Sequence, residues 1–148
     1  MKPRNMMDVL LSEIKVIPVP DGIIALYAYG SIVHGKLRND SDIDIAMLPS
    51  FDTNDFERLQ LLSKADAIVA SVLNRMGIHK EVSILDMRGK YVSLQLLYTI
   101  ITEGKLLYES AHKERINFEH ALKREYFDFI PYLLLLRKRK YGDLYKKV

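Results

Sequence analysis

The chain has no cysteine, few prolines and glycines, and no long uninterrupted apolar run. Without cysteine there are no disulfides, no thiolate nucleophile and no cysteine-based zinc site, and a reducing cytoplasm is the natural setting. No stretch approaches the ~18 to 20 apolar residues of a membrane span. The opening MKPRNMMDVLLSEIKV starts with charge, but Asp8, Glu13 and Lys15 interrupt it before an apolar core forms, and no small-residue cleavage site follows. It reads as an amphipathic helix. Internal repeats and low-complexity segments are also missing.

What is present is a 148-residue chain that is 49% apolar and 28% charged, a composition suited to one globular domain. The formal net charge is +3, and much of the excess lies in the final RKRKYGDLYKKV. Such a run is either a solvated helix end or a contact for nucleic acid or an acidic partner.

Hydrophobic spacing divides the chain into alternating elements. Leu10, Leu11 and Ile14 predict a first helix, ended by Pro18 and Pro20. Ile23 to Tyr29 reads as a buried strand and Asp42 to Leu48 as a second. Asp52 to Met76 is a long amphipathic helix, with Asp52 or Thr53 as its cap. A third strand follows over Val82 to Met87, then a helix over Tyr91 to Glu103 and a short strand over Lys105 to Tyr108. Asn117 to Tyr141 is a last helix that Pro131 is expected to kink or break, and Tyr126, Phe127, Phe129 and Tyr132 read most simply as core packing and equally as a partner-binding face beside basic residues. The fold expected is an α/β (α+β) domain over 1–148. It has a small mixed sheet of about four strands flanked by helices over about 21–110, and a C-terminal helical extension over about 111–148.

One segment carries chemistry. Residues 30–44 read GSIVHGKLRNDSDID, a Gly-Ser pair separated by ten residues from Asp-x-Asp and bracketed by strand-forming runs. Four fixed residues at fixed spacing arise by chance on the order of once per hundred thousand windows at average amino-acid usage. On a strand, Asp42 and Asp44 project to one face with Cα atoms roughly 6.5 to 7 Å apart. Two carboxylates so placed suit divalent cations, and hard oxygen donors favour Mg²⁺ or Mn²⁺ over zinc. Gly30 lets backbone approach a ligand, and Ser31 stands where the N-cap of a short helix over Ile32 to Lys36 is expected. Backbone N–H groups there suit phosphate, with Lys36 and Arg38 placed to neutralise a triphosphate. His34 lies in the turn between the two halves and reads as an exposed loop residue.

This segment resembles the signature of the DNA polymerase β-like nucleotidyltransferases, and its short form is similar to the minimal nucleotidyltransferase (MNT) family. Gly35 stands where the family has its second glycine, and Ser41 precedes the Asp-x-Asp in the family manner. EVSILDMRGKYVSLQLLYTIITEGKLLYES resembles the family's third strand, following helix and closing strand, and RINFEHALKREYFDFIPYL its C-terminal helix. The resemblance implies a nucleotidyltransferase fold, a metal-dependent transfer from ATP, and an antitoxin that adenylylates a tyrosine of a HEPN-type ribonuclease toxin. It implies metal binding by Asp42 and Asp44 and phosphate binding by Gly30 and Ser31.

One departure stands out. The family's third carboxylate falls early in the third strand, where this chain has Ser83. Asp86 is the first candidate replacement, although its odd offset from Ser83 points it to the other face of the strand; Glu81 has the right parity one step earlier. Two alternatives therefore accompany the leading function. One is transfer to a small hydroxylated molecule, for which the chain has little room; the other is a weakened enzyme that neutralises its partner by binding alone. Arg115 and His120 make the R-x4-H spacing of HEPN ribonucleases, but the segment fits the nucleotidyltransferase tail and no second helical half accompanies it.

Overall fold

The computed structural model describes residues 6–35 and 41–145, with side chains as far as residue 140. Its elements run α1 (Met6–Ile14), β1 (Ile23–Tyr29), a 3-10 turn (Gly30–Ile32), β2 (Ile43–Pro49), α2 (Asp55–Arg75), β3 (Val82–Asp86), α3 (Leu94–Glu103), β4 (Lys105–Glu109) and α4 (His112–Tyr145). The sheet order is β3-β2-β1-β4. β1 is antiparallel to both neighbours, whereas β2 and β3 are parallel. A parallel pair needs a crossover, and α2 supplies it.

Helices cover both faces, which is why the two inner strands are apolar almost throughout. On one face, Leu10 and Ile14 of α1 and Leu61, Ala65, Val69 and Val72 of α2 pack on Leu26, Ala28, Ile43, Ile45 and Met47. On the other, Ile100 of α3 and Phe118 of α4 pack on Ala25, Tyr27, Ala46, Leu48 and Met87. Asp44 shares the parity of Ala46 and Leu48, so the inner strand that builds the core also presents the acid near its start.

Four local expectations are corrected. The cap of α2 is Asn54, whose Oδ1 accepts from Glu57 N at 2.8 Å while its own N–H donates to Glu57 Oε1 at 3.3 Å. This is a capping box. Asp52 and Thr53 are instead bonded to Ser50. α3 starts at Leu94 rather than Tyr91, because Ser93 Oγ accepts from Leu96 N at 3.1 Å. α4 begins at His112 and runs through Pro131 to Tyr145 without a break. Proline removes a single backbone donor, and the leucines and basic residues beyond it are strong helix formers. Finally, of the two readings of the aromatic series the core-packing one is corrected: Phe127 and Tyr132 are 56% and 57% exposed. Tyr126 is half-buried by stacking on Tyr98 of α3, with ring centroids 3.8 Å apart.

Candidate active site

β1 delivers the chain to Gly30, whose φ of +76° reverses its direction at a cost that L side chains rarely meet. The 3-10 turn therefore begins at Gly30 itself, closed by Val33 N donating to Gly30 O at 3.1 Å. Ser31 lies inside this turn, half-buried, and is not the cap of a helix over 32–36. Lys36 and Arg38 lie outside the described residues.

The sheet register brings the two halves of the motif together. Tyr29 pairs with Asp44 across β1 and β2, and Asp44 pairs with Ser83 across β2 and β3. Paired residues share a face, so Tyr29, Asp44 and Ser83 form one row, with exposed Asp42 just beyond the end of β2. A β-carbon on Gly30 would stand 2.8 Å from Asp44 Oδ2. The glycine thus makes room for the carboxylate as well as for the turn. Burial, followed by repulsion from Asp42, raises the Asp44 pKa above the ordinary carboxylate value. Burial and the Asp44 charge likewise raise that of the Tyr29 phenol. An acid whose ionisation is opposed by burial and by a neighbouring carboxylate is a fitting seat for a hard divalent cation, which relieves the repulsion. Among the described residues no group of three acidic or imidazole side chains is placed to hold a metal ion. The pair fits Mg²⁺ bound in the shared manner, with one or two protein carboxylates and the rest of the shell from substrate phosphates.

Asp86 is not brought to this pair. It pairs with Met47, three residues along from Asp44, which is roughly 10 Å along the strand and on the opposite face. Its Oδ2 accepts from Arg58 Nε at 3.0 Å and its Oδ1 from Arg88 N at 2.9 Å. The expected third carboxylate is therefore a structural anchor tying the end of β3 to the start of α2. Glu81 is exposed and lies at the Asp42 level, its carbonyl accepting from Ile43 N at 2.9 Å. His34 is exposed, with Nε2 3.9 Å from Glu103 Oε2.

Two features near the motif were not singled out from sequence. Lys80 Nζ donates to the carbonyl of Ser41 at 3.2 Å and so steadies the backbone one residue before Asp42. A cavity of about 370 Å³ adjoins the turn, lined by Met6, Met7, Asp8, Ile32, Val33, Gly35 and Lys105. Lys80 lies 39 residues from Ser41, a pairing that no local pattern encodes.

Arg115 has a structural task. It pairs with Glu109 and, through Nη1, with Glu119 Oε1 at 2.9 Å; the hydroxyl of Tyr27 donates to the same Glu119 oxygen at 2.6 Å. Burial and the Glu119 partner push the Tyr27 phenol well above its ordinary pKa. His120 is exposed and takes no part in this network.

A Gly-Ser turn beside paired aspartates on the adjoining strand of a small mixed sheet is the arrangement of a nucleotidyltransferase. Accordingly, residues 13–113 match the family model "Polymerase beta, Nucleotidyltransferase", and the chain belongs to that family. No curated protein matches it. Among solved structures, it is similar to a toxin-antitoxin complex with AMP-PNP at 24% identity, covering 95% of each chain with a TM-score of 0.53. It is also similar to a tri-AMPylated Shewanella oneidensis HEPN toxin in complex with MNT antitoxin, at 22% identity and a TM-score of 0.55, covering 94% of this chain and 98% of that one. A mutant of the toxin-antitoxin MntA-HpeT matches at 22% identity and a TM-score of 0.55, covering 97% and 98%. Among the described residues no helix is long and apolar enough to cross a membrane.

Proposed function

We propose that this protein is an MNT-type antitoxin that transfers AMP from ATP to a tyrosine of a HEPN ribonuclease toxin. The observation that carries the reading is the row in which Asp44, beside Asp42, stands against the Gly30–Ser31 turn. The turn holds the triphosphate and the two carboxylates hold Mg²⁺. When bound, the metal neutralises charge on the phosphates and on the leaving group. The acceptor phenol gives up its proton to solvent, its oxygen forms a bond to the α-phosphorus, the bond from that phosphorus to the bridging oxygen breaks, and pyrophosphate leaves. Gly30 keeps the turn close to Asp44, and Lys80 fixes the chain before Asp42. The AMPylated toxin in a similar complex supports a protein acceptor.

Ser83 at the Asp44 level of β3 favours a second reading, an antitoxin that acts by binding with weakened catalysis. Intact-mass measurement of a HEPN-type partner protein, co-expressed with and without this chain, separates the two. The enzyme adds 329 Da per adenylyl group, on the order set by AMP less water, and Asp44→Asn adds none while still forming the complex. An unmodified partner in a stable wild-type complex overturns the transfer reading.

A further inference from the structure

α4 is a 34-residue helix, about 51 Å long, and only its first half is built into the domain. The root is the Tyr27–Glu119–Arg115 network, followed by buried Leu122 and the Tyr126–Tyr98 stack. Beyond it, Tyr132, Leu134, Leu135 and Leu136 are 57%, 58%, 46% and 41% exposed. A helix segment of this length is marginal in water unless something packs on it. Phe118 and Leu122 lie beside Leu94 and Leu97, while Tyr126 stacks on Tyr98. Contacts thus advance along α3 and α4 together. α3 runs toward Lys105, the end of the sheet where Gly30 and Asp42 lie, and the distal arm of α4 leaves the domain in that sense.

The pattern of the arm limits what can cover it. Leu133 to Leu136 are consecutive, and at 100° per residue they occupy the whole circumference, so a flat surface would leave half of them wet. A membrane surface needs a polar face on the helix, which is missing at this level. A second copy is a poor match in charge. Antiparallel pairing about the Leu133–Leu134 boundary sets Arg137, Lys138 and Arg139 level with residues 128–130, which offer Asp128 as the sole acid. Parallel pairing aligns the cations with themselves.

We infer that the distal half of α4 is the arm by which this chain grips its protein acceptor, inserting the leucine girdle into an apolar groove between helices whose rim is acidic. This rests on the protein-acceptor reading above. It adds a place for the acceptor: beside the site, held from the end of the sheet where transfer occurs.

The test uses full-length protein and the co-expressed HEPN protein, with Leu134→Asp/Leu135→Asp and Arg137→Glu/Arg139→Glu variants. These positions are exposed, and the melting temperature of each variant alone checks that the fold is kept. Each variant is expected to weaken complex formation at least 100-fold by calorimetry. The KM for the protein acceptor should rise in step, while the melting shift given by Mg²⁺ and ATP together stays unchanged. The charge variant should also flatten the dependence of binding on salt. Wild-type affinity in both variants overturns the arm. So does a wild-type homodimer that Leu134→Asp/Leu135→Asp dissociates while leaving HEPN binding intact, or arm-dependent binding to phosphatidylcholine–phosphatidylserine vesicles without HEPN binding. Arm-dependent binding with no AMP added overturns the transfer reading and leaves the arm standing.

Discussion

Gly30 and Asp44 are mutually dependent: a β-carbon on the glycine would stand 2.8 Å from Asp44 Oδ2, so the space belongs to the carboxylate. Gly30→Ala therefore acts twice, through the positive φ and through displacement of Oδ2. It should destabilise the fold by about 1–3 kcal/mol. Transfer should fall about 100-fold, the usual effect of an ångström-scale misplacement in a site. Denaturant melts and a radiolabelled-ATP assay run together check both; near-parental transfer would contradict the packing role.

Ser83 faces Asp44 across neighbouring strands, so Ser83→Asp places a third acid in the row about 5 Å away. With Mg²⁺ present, transfer should rise at least about tenfold, toward the range of a general base. Without metal, the added charge should lower the melting temperature at pH 7. A variant that gains neither effect would show that the row is not where acceptor and metal meet.

Asp44 gives a signed pH prediction. The folded state holds its proton more tightly than the unfolded chain, whose reference pKa is about 3.9. Metal-free stability from this group is therefore present at low pH and is lost as pH rises through the raised folded value. Asp44→Asn removes that loss: without metal the variant should melt above the parent at pH 7 and level with it near pH ~3, while losing transfer and the stabilisation by Mg²⁺ with ATP. Thermal melts across pH with and without chelator measure this. A variant that melts lower at pH 7 without metal would refute the mutual repulsion.

The root of α4 should be energetically coupled. Arg115→Ala strands Glu119, which is 8% exposed, and should cost about 3 kcal/mol. Tyr27→Phe removes one hydrogen bond to the same oxygen and should cost about 1 kcal/mol. The double variant should lose less than the sum of the two, since they share a partner. Additive losses in denaturant unfolding would show that the three groups do not act as one.

Local pattern made the strands and the motif legible. β1 occupies the expected Ile23–Tyr29, bounded by Asp21-Gly22 on one side and Gly30 on the other. The joint spacing of Gly-Ser and Asp-x-Asp pointed to one site because strand alternation is fixed. What stayed illegible depends on distant partners. Asp86 looked available until Arg58, 28 residues away, engaged it. Asn54 capped α2 because Ser50 had already taken Asp52 and Thr53. The aromatics of α4 have helical spacing suited to a core, but spacing cannot reveal that the domain ends before the helix does.

Asp44 stands on β2 and Gly30 directly follows β1, the two inner strands, and this has a further result. Inner strands with both faces covered open only when the whole domain opens. Asp44 and the start of the turn at Gly30 therefore cannot drift apart while the helices remain packed. Heat inactivation and global unfolding should trace a single curve, and this catalyst has no dormant, half-melted form.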